Sequence, residues 1–130
     1  MSTRALYTFV GDGEQYHVYK HHDGYPSGAI GFIAAAKKLA WTLPRFEPDE
    51  FAASFVAANK NGDGGIRLTM GETWDQAASA DIAYHYVISC KNGDLFIEAY
   101  SANCWDEPSQ KLLKKGSLDV MTTWAEKAEA

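Results

Sequence analysis

Two cysteines, four prolines and no long apolar run deprive this 130-residue chain of several common structural devices. Cys90 and Cys104 permit one disulfide at most. With no Cys-x-x-Cys and no metal-type ligand spacing, neither a disulfide scaffold nor a zinc module is expected, and a reducing cytosol leaves both thiols free. No stretch approaches the roughly 18 apolar residues a membrane span needs. Residues 29–40 come nearest, and Lys37 and Lys38 interrupt them. The first residues show no apolar core behind a basic start, so a signal peptide is not expected and the compartment expected is the cytoplasm. Basic residues are also short, with 12 Lys and Arg against 17 Asp and Glu, a net charge of −5 and a pI near 5.3. That balance excludes the basic stripe of general nucleic-acid binding, yet is too mild for a nucleic-acid mimic.

What remains is ordinary for a folded domain. At 46% hydrophobic residues the chain can bury a core unaided, and residues 1–130 read as a single domain. Aromatics are generous, with four Trp and seven Tyr, most of them expected in that core.

Hydrophobic alternation predicts strands over Arg4–Val10 and Gln15–His21, joined through Gly11-Asp12-Gly13-Glu14 as a hairpin. In the second strand Tyr16 and Val18 share one face, and His17, Tyr19 and His21 the other. Residues 27–41 read as a small-residue helix, and Pro48–Lys60 as a second, with Phe51, Phe55 and Ala58 at helical spacing. A short strand is expected at Ile66–Met70, and Gly71–Asp81 carries no clear pattern. Ile82–Cys90 and Leu95–Ser101 form a hairpin about Asn92-Gly93, and Ser117 caps a helix striped with Leu118, Met121, Trp124 and Ala125. The order ββααβββα, rich in hairpins, predicts an α+β fold: an antiparallel sheet of about five strands with helices packed on one face.

The densest polar stretch is Lys20-His21-His22-Asp23-Gly24-Tyr25-Pro26-Ser27-Gly28, where the first hairpin meets the first helix. Turn chemistry accounts for Asp-Gly and Tyr-Pro but not for two imidazoles. The binding reading takes His21 and His22 as donors, Tyr25 as a stacking ring, and Ser27 with the bare Gly28 as an anion approach at the helix start. Arg45 and Arg67 would be the charge partners if the fold brings them near. The structural alternative makes Asp23 an acceptor for turn amides, Tyr25 a core ring and the histidines edge decoration.

Other motifs are weaker. Asn59-Lys60-Asn61-Gly62-Asp63-Gly64-Gly65-Ile66 imitates a calcium loop, but Asn59 stands where an Asp should and Met70 where a bidentate Glu should. His21, His22 and Asp23 diverge on a strand, which argues against zinc. His85 has the spacing of one half of a hydrogen-bonded sheet pair, and carboxylates beside Cys104 would dull its thiol. No metal, cofactor or catalytic residue is therefore expected.

Arg4-Ala5-Leu6-Tyr7 followed by Val18-Tyr19-Lys20-His21-x-Asp23-Gly24-Tyr25-Pro26-x-Gly28 resembles a set of small phage and prophage proteins with His/Trp-Asp-Gly-Tyr-Pro-x-Gly after an N-terminal strand. The resemblance covers the first third of the chain and brings no chemistry with it. It implies a mobile-element origin and a protein that counters host defence. Size and aromatic content are compatible with phage sponge proteins that sequester cyclic ADP-ribose-type signals. The expectation is a non-enzymatic binding protein that either encloses a nucleotide-like signal or masks a host defence protein, with a homodimer compatible with a shared pocket. The rivals are a small enzyme using His/Asp/Tyr acid–base chemistry at His21–Gly28, and an accessory phage protein.

Overall fold

The computed structural model describes residues 3–60 and 65–128. Its elements are β1 (Ala5–Gly11), β2 (Glu14–Lys20), α1 (Pro26–Leu39), α2 (Pro48–Asn59), β3 (Ile66–Thr69), α3 (Trp74–Ala77), β4 (Tyr84–Lys91), β5 (Asp94–Asn103), β6 (Ser109–Ser117) and α4 (Leu118–Ala128). The strands form one sheet in the order β3-β2-β1-β4-β5-β6. The α+β class and both hairpins agree with the sequence reading.

Three features correct it: the mixed sheet, its sixth strand and helices on both faces. The sheet has six strands and is mixed, because β1 and β4 run parallel (Ala5 opposite Tyr84, Phe9 opposite Ile88) while every other pair is antiparallel. The parallel pair follows from the crossover: α1, α2, β3 and α3 intervene before the chain returns beside β1, and a hairpin cannot make such a connection. The added strand is β6, whose Gln110-Lys111-Leu112-Leu113-Lys114-Lys115 lacks apolar alternation because it is an exposed sheet edge.

Alternation along the strands builds two unequal layers. Tyr7, Phe9, Val18, Tyr86, Ile88 and Ile97 point to one face, where α1, α2 and α4 cover them. Tyr7, Phe9, Phe51 and Phe55 form its aromatic centre, with Tyr7–Phe55 and Phe9–Phe55 centroids 4.6 and 5.4 Å apart. The other face carries Leu6, Tyr19, Ala77 and Ile82, capped by the short α3 with Trp74. Helices thus lie on both faces, not one, because the unpatterned Gly71–Asp81 stretch folds back over the sheet. Among the described residues no helix is long and apolar enough to cross a membrane. Both cysteines are free and half-buried.

Candidate functional site

Strand alternation puts Tyr19 and His21 on the α3 face of β2, as its pattern predicts. Tyr19 lies opposite Arg67 on β3, so the phenol and the guanidinium share that face. Arg4, just before β1, and the Ser79–Asp81 segment after α3 close the other side. Together these residues and Gly65 line a cleft of about 370 Å³, within the usual size of small-molecule pockets.

The cleft is wired by charge and hydrogen bonds. Arg4 pairs with Asp81 at 2.8 Å, and Ser79 donates to the other oxygen of that carboxylate at 2.8 Å. The Arg4 Nε–H donates to His21 Nδ1 at 3.2 Å, and the Tyr19 hydroxyl reaches the same nitrogen at 2.8 Å. Nδ1 is therefore the acceptor of a neutral ring, and the His21 proton sits on Nε2. Arg67 lies over the Tyr19 ring with its guanidinium carbon 4.7 Å from the centroid. Burial pushes the Tyr19 phenol up, with Asp81 adding to it and both arginines opposing, so it stays a neutral donor at physiological pH. The cleft thus presents two guanidinium groups, a neutral imidazole and a phenol, with Asp81 as the one carboxylate among its described lining residues.

The residues singled out from sequence are divided by the fold. His21 and Arg67 line the cleft. His22 packs edge-on against His21 with centroids 4.7 Å apart, but is exposed and outside the lining. Arg45 is elsewhere: it lies 3.6 Å over the Trp41 ring and 3.7 Å from Glu47 in the α1–α2 connector, which removes it from the proposed set. Ser27 borders a separate hollow between α1 and α4 with Thr122 and Glu126. Tyr25 precedes α1 and is exposed, not a core ring.

Asp23, Gly24 and Gly28 bend the chain. Asp23 takes a positive φ of 59°, and the Gly24 N–H donates to the Thr3 carbonyl at 2.9 Å. The Tyr86 hydroxyl donates to the Gly24 carbonyl at 2.6 Å, pinning the turn to the sheet. A Cβ on Gly28 would lie 2.2 Å from the Asp23 carbonyl oxygen, so glycine there permits the close approach of α1 to the turn. None of these three residues is on the described lining of the cleft.

Of the calcium-like loop, residues 61–64 lie outside the described residues; Asn59 donates its amide to the Phe32 and Phe55 carbonyls, at 3.1 and 2.9 Å, and so ties α2 to α1. Among the described residues no three His, Cys, Asp or Glu side chains cluster as a metal-binding group.

Sequence reasoning missed Arg4, Gly65, Ser79 and Asp81, and it placed Tyr19 on the face of His21 without counting it as a site residue. Arg4 extends the alternation of β1 onto the same face as Leu6 and was available as a signal. Ser79 and Asp81 lie in the segment without periodicity, and nothing local marks them.

A second polar group crosses the α3 face. The Thr8 hydroxyl bridges His17 Nδ1 at 2.9 Å and His85 Nε2 at 2.7 Å, and His85 Nδ1 meets Gln110 Oε1 at 2.6 Å. An amide oxygen only accepts, so the His85 proton is on Nδ1, Thr8 donates to Nε2, and His17 Nδ1–H donates to Thr8. His85 is stacked between Trp74 and Tyr100, with centroids 5.0 and 5.9 Å away. Burial holds both imidazoles below the ordinary histidine range, His85 at about 4, where the Gln110 hydrogen bond opposes and His17 reinforces the effect. This is a structural spine, as the mid-strand position of His85 suggests.

Compared with known proteins, the chain matches no family model, no curated protein and no solved structure.

Proposed function

We propose that the chain is a non-enzymatic binding protein that holds a small anionic, partly planar molecule of the nucleotide kind in the Arg4–Tyr19–His21–Arg67 cleft. The observation that carries the reading is the convergence of the Arg67 guanidinium, the Arg4 guanidinium shared with Asp81, the His21 ring and the Tyr19 phenol around one cavity of about 370 Å³. Guanidinium grips phosphate or carboxylate with paired hydrogen bonds. The His21 Nε2–H adds a neutral donor, and the Arg67 guanidinium, held over the buried Tyr19 ring, offers its outer plane to a planar group.

Binding is favoured over acid–base catalysis because the groups a catalyst would use are already engaged. His21 spends its lone pair on Tyr19 and Arg4, and Asp81 is tied to Arg4 and Ser79. A general base needs a free lone pair within reach of the proton it takes. The likeness of the N-terminal third to phage and prophage proteins supports a counter-defence role, in which sequestering a nucleotide signal silences the pathway it activates.

The test is a thermal-shift screen of the full chain against ADP-ribose, cyclic ADP-ribose and cyclic dinucleotides, followed by recovery of the ligand after denaturation. A ligand at a hundred times its Kd stabilises by about 2.7 kcal/mol, a readily measured shift. The reading requires a shift and return of the ligand intact. A chemically altered ligand identifies an enzyme. No shift, together with co-elution in a complex with a host protein, identifies a surface-masking inhibitor and refutes the small-molecule reading.

A further inference from the structure

The far edge of the sheet carries a second surface, independent of the cleft. β6 ends the strand order, so among the described residues the outer backbone edge of its Ser109–Ser117 span pairs with no other strand. Residues 109–115 are exposed along their whole length. In a chain of net charge −5, residues 109–128 instead hold four lysines against two acids.

Register decides where that charge points. Lys114 lies opposite Ala99, whose side chain is in the helix-face core, so Lys114 projects toward α4. There a groove of about 470 Å³ runs between strand edge and helix, with Val120 and Trp124 as its apolar wall, and with Lys114 and Lys127 as two cations against the one carboxylate of Asp119 on its described lining. Val120 is 44% exposed although α4 could have turned a polar residue outward at that position. On the opposite face Leu112, opposite Tyr100, is exposed as well.

Lysines on an edge strand commonly serve only to block unwanted pairing. They do block one partner here: antiparallel self-pairing centred on Leu112 and Leu113 would set Lys111 of one copy against Lys114 of the other, a like-charge juxtaposition. They do not explain an apolar groove flanked by cations. That combination fits an extended acidic segment, its backbone adding to β6, carboxylates meeting Lys114 and Lys127, and an aliphatic side chain lying on Val120 and Trp124.

We infer that the β6–α4 edge docks an acidic, β-forming segment of another protein by strand addition. The site is separate from the nucleotide cleft and does not rest on it.

The test uses the full chain and a fluorescein-labelled nonapeptide alternating Glu with Val and Leu, beside its Lys-for-Glu counterpart and an oligothymidylate. The acidic peptide should bind saturably, weaken several-fold between 0.1 and 0.5 M salt, and protect the backbone amides of residues 109–117 from hydrogen exchange. The double variant K114E/K127E, altering two exposed side chains, should weaken it at least tenfold while the circular dichroism spectrum is unchanged. The exchange measurement on the unaltered chain stands whether or not the variant folds. The inference is overturned if neither peptide binds, if both bind alike, if the oligothymidylate binds the same face as tightly, or if protection at β6 appears only with rising protein concentration, which marks a self-dimer.

Discussion

Mild acid should destabilise this protein through His85. The ring is buried and neutral in the native state, with its pKa lowered from 6.5 to about 4. A base whose folded pKa is depressed contributes stability that is complete above its unfolded value and lost as pH falls toward the folded one. Each pKa unit corresponds to 1.36 kcal/mol, so the gap amounts to about 3 kcal/mol, removed progressively between pH 6.5 and 4. His17 is shifted the same way and adds to the loss. The assay is urea denaturation at pH 7, 5.5 and 4.5 for the natural chain and His85→Phe, which keeps an aromatic ring between Trp74 and Tyr100. Carboxylate titration is common to both, so the difference isolates the imidazole. The natural chain should lose about 2 kcal/mol more than the variant between pH 7 and 4.5, most of the full gap. Parallel stability curves would show that His85 is not a buried neutral base and would refute the reasoning.

Thr8→Val preserves shape but leaves His17 Nδ1 and His85 Nε2 without a partner; the expected cost is about 2–6 kcal/mol in urea denaturation, from roughly 1–3 per orphaned buried group. Gly28→Ala forces a Cβ against the Asp23 carbonyl and should destabilise by about 1–3 kcal/mol despite the better helix former. Gly31→Ala, where a Cβ meets nothing within 4 Å, should instead stabilise by up to about 1 kcal/mol, and thermal melts of the pair give opposite signs if the turn is correctly described. Asp81→Asn removes the carboxylate partner of Arg4 and should raise affinity for anionic ligands of the cleft by a few-fold, read by titration calorimetry.

The sequence displayed some of this plainly and hid the rest for physical reasons. Alternation in Gln15–His21 assigned Tyr19 and His21 to one face, and Asn92-Gly93 located the β4–β5 turn, because both signals are local. The parallel β1–β4 pairing was not legible, since it depends on where a long crossover returns. β6 escaped because an edge strand has little to bury and therefore no apolar period. In His21–Gly28, polar density suggested one site, yet Asp23, Gly24 and Gly28 serve the bend while only His21 enters the cleft. The residues that complete it with Arg67 are Arg4, just before β1, and those of Ser79–Asp81, distant in sequence and brought together by the fold.

Isothermal titration of the natural chain and Arg67→Gln with ADP-ribose, cyclic ADP-ribose and cyclic dinucleotides tests the central claim most directly. A charge-assisted hydrogen bond contributes about 1.5–3 kcal/mol, so the account predicts saturable binding of at least one ligand, weakened roughly tenfold or more by the substitution, with the urea midpoint unchanged because Arg67 is exposed. Equal affinity in both proteins, or no binding by any of these ligands, would contradict it.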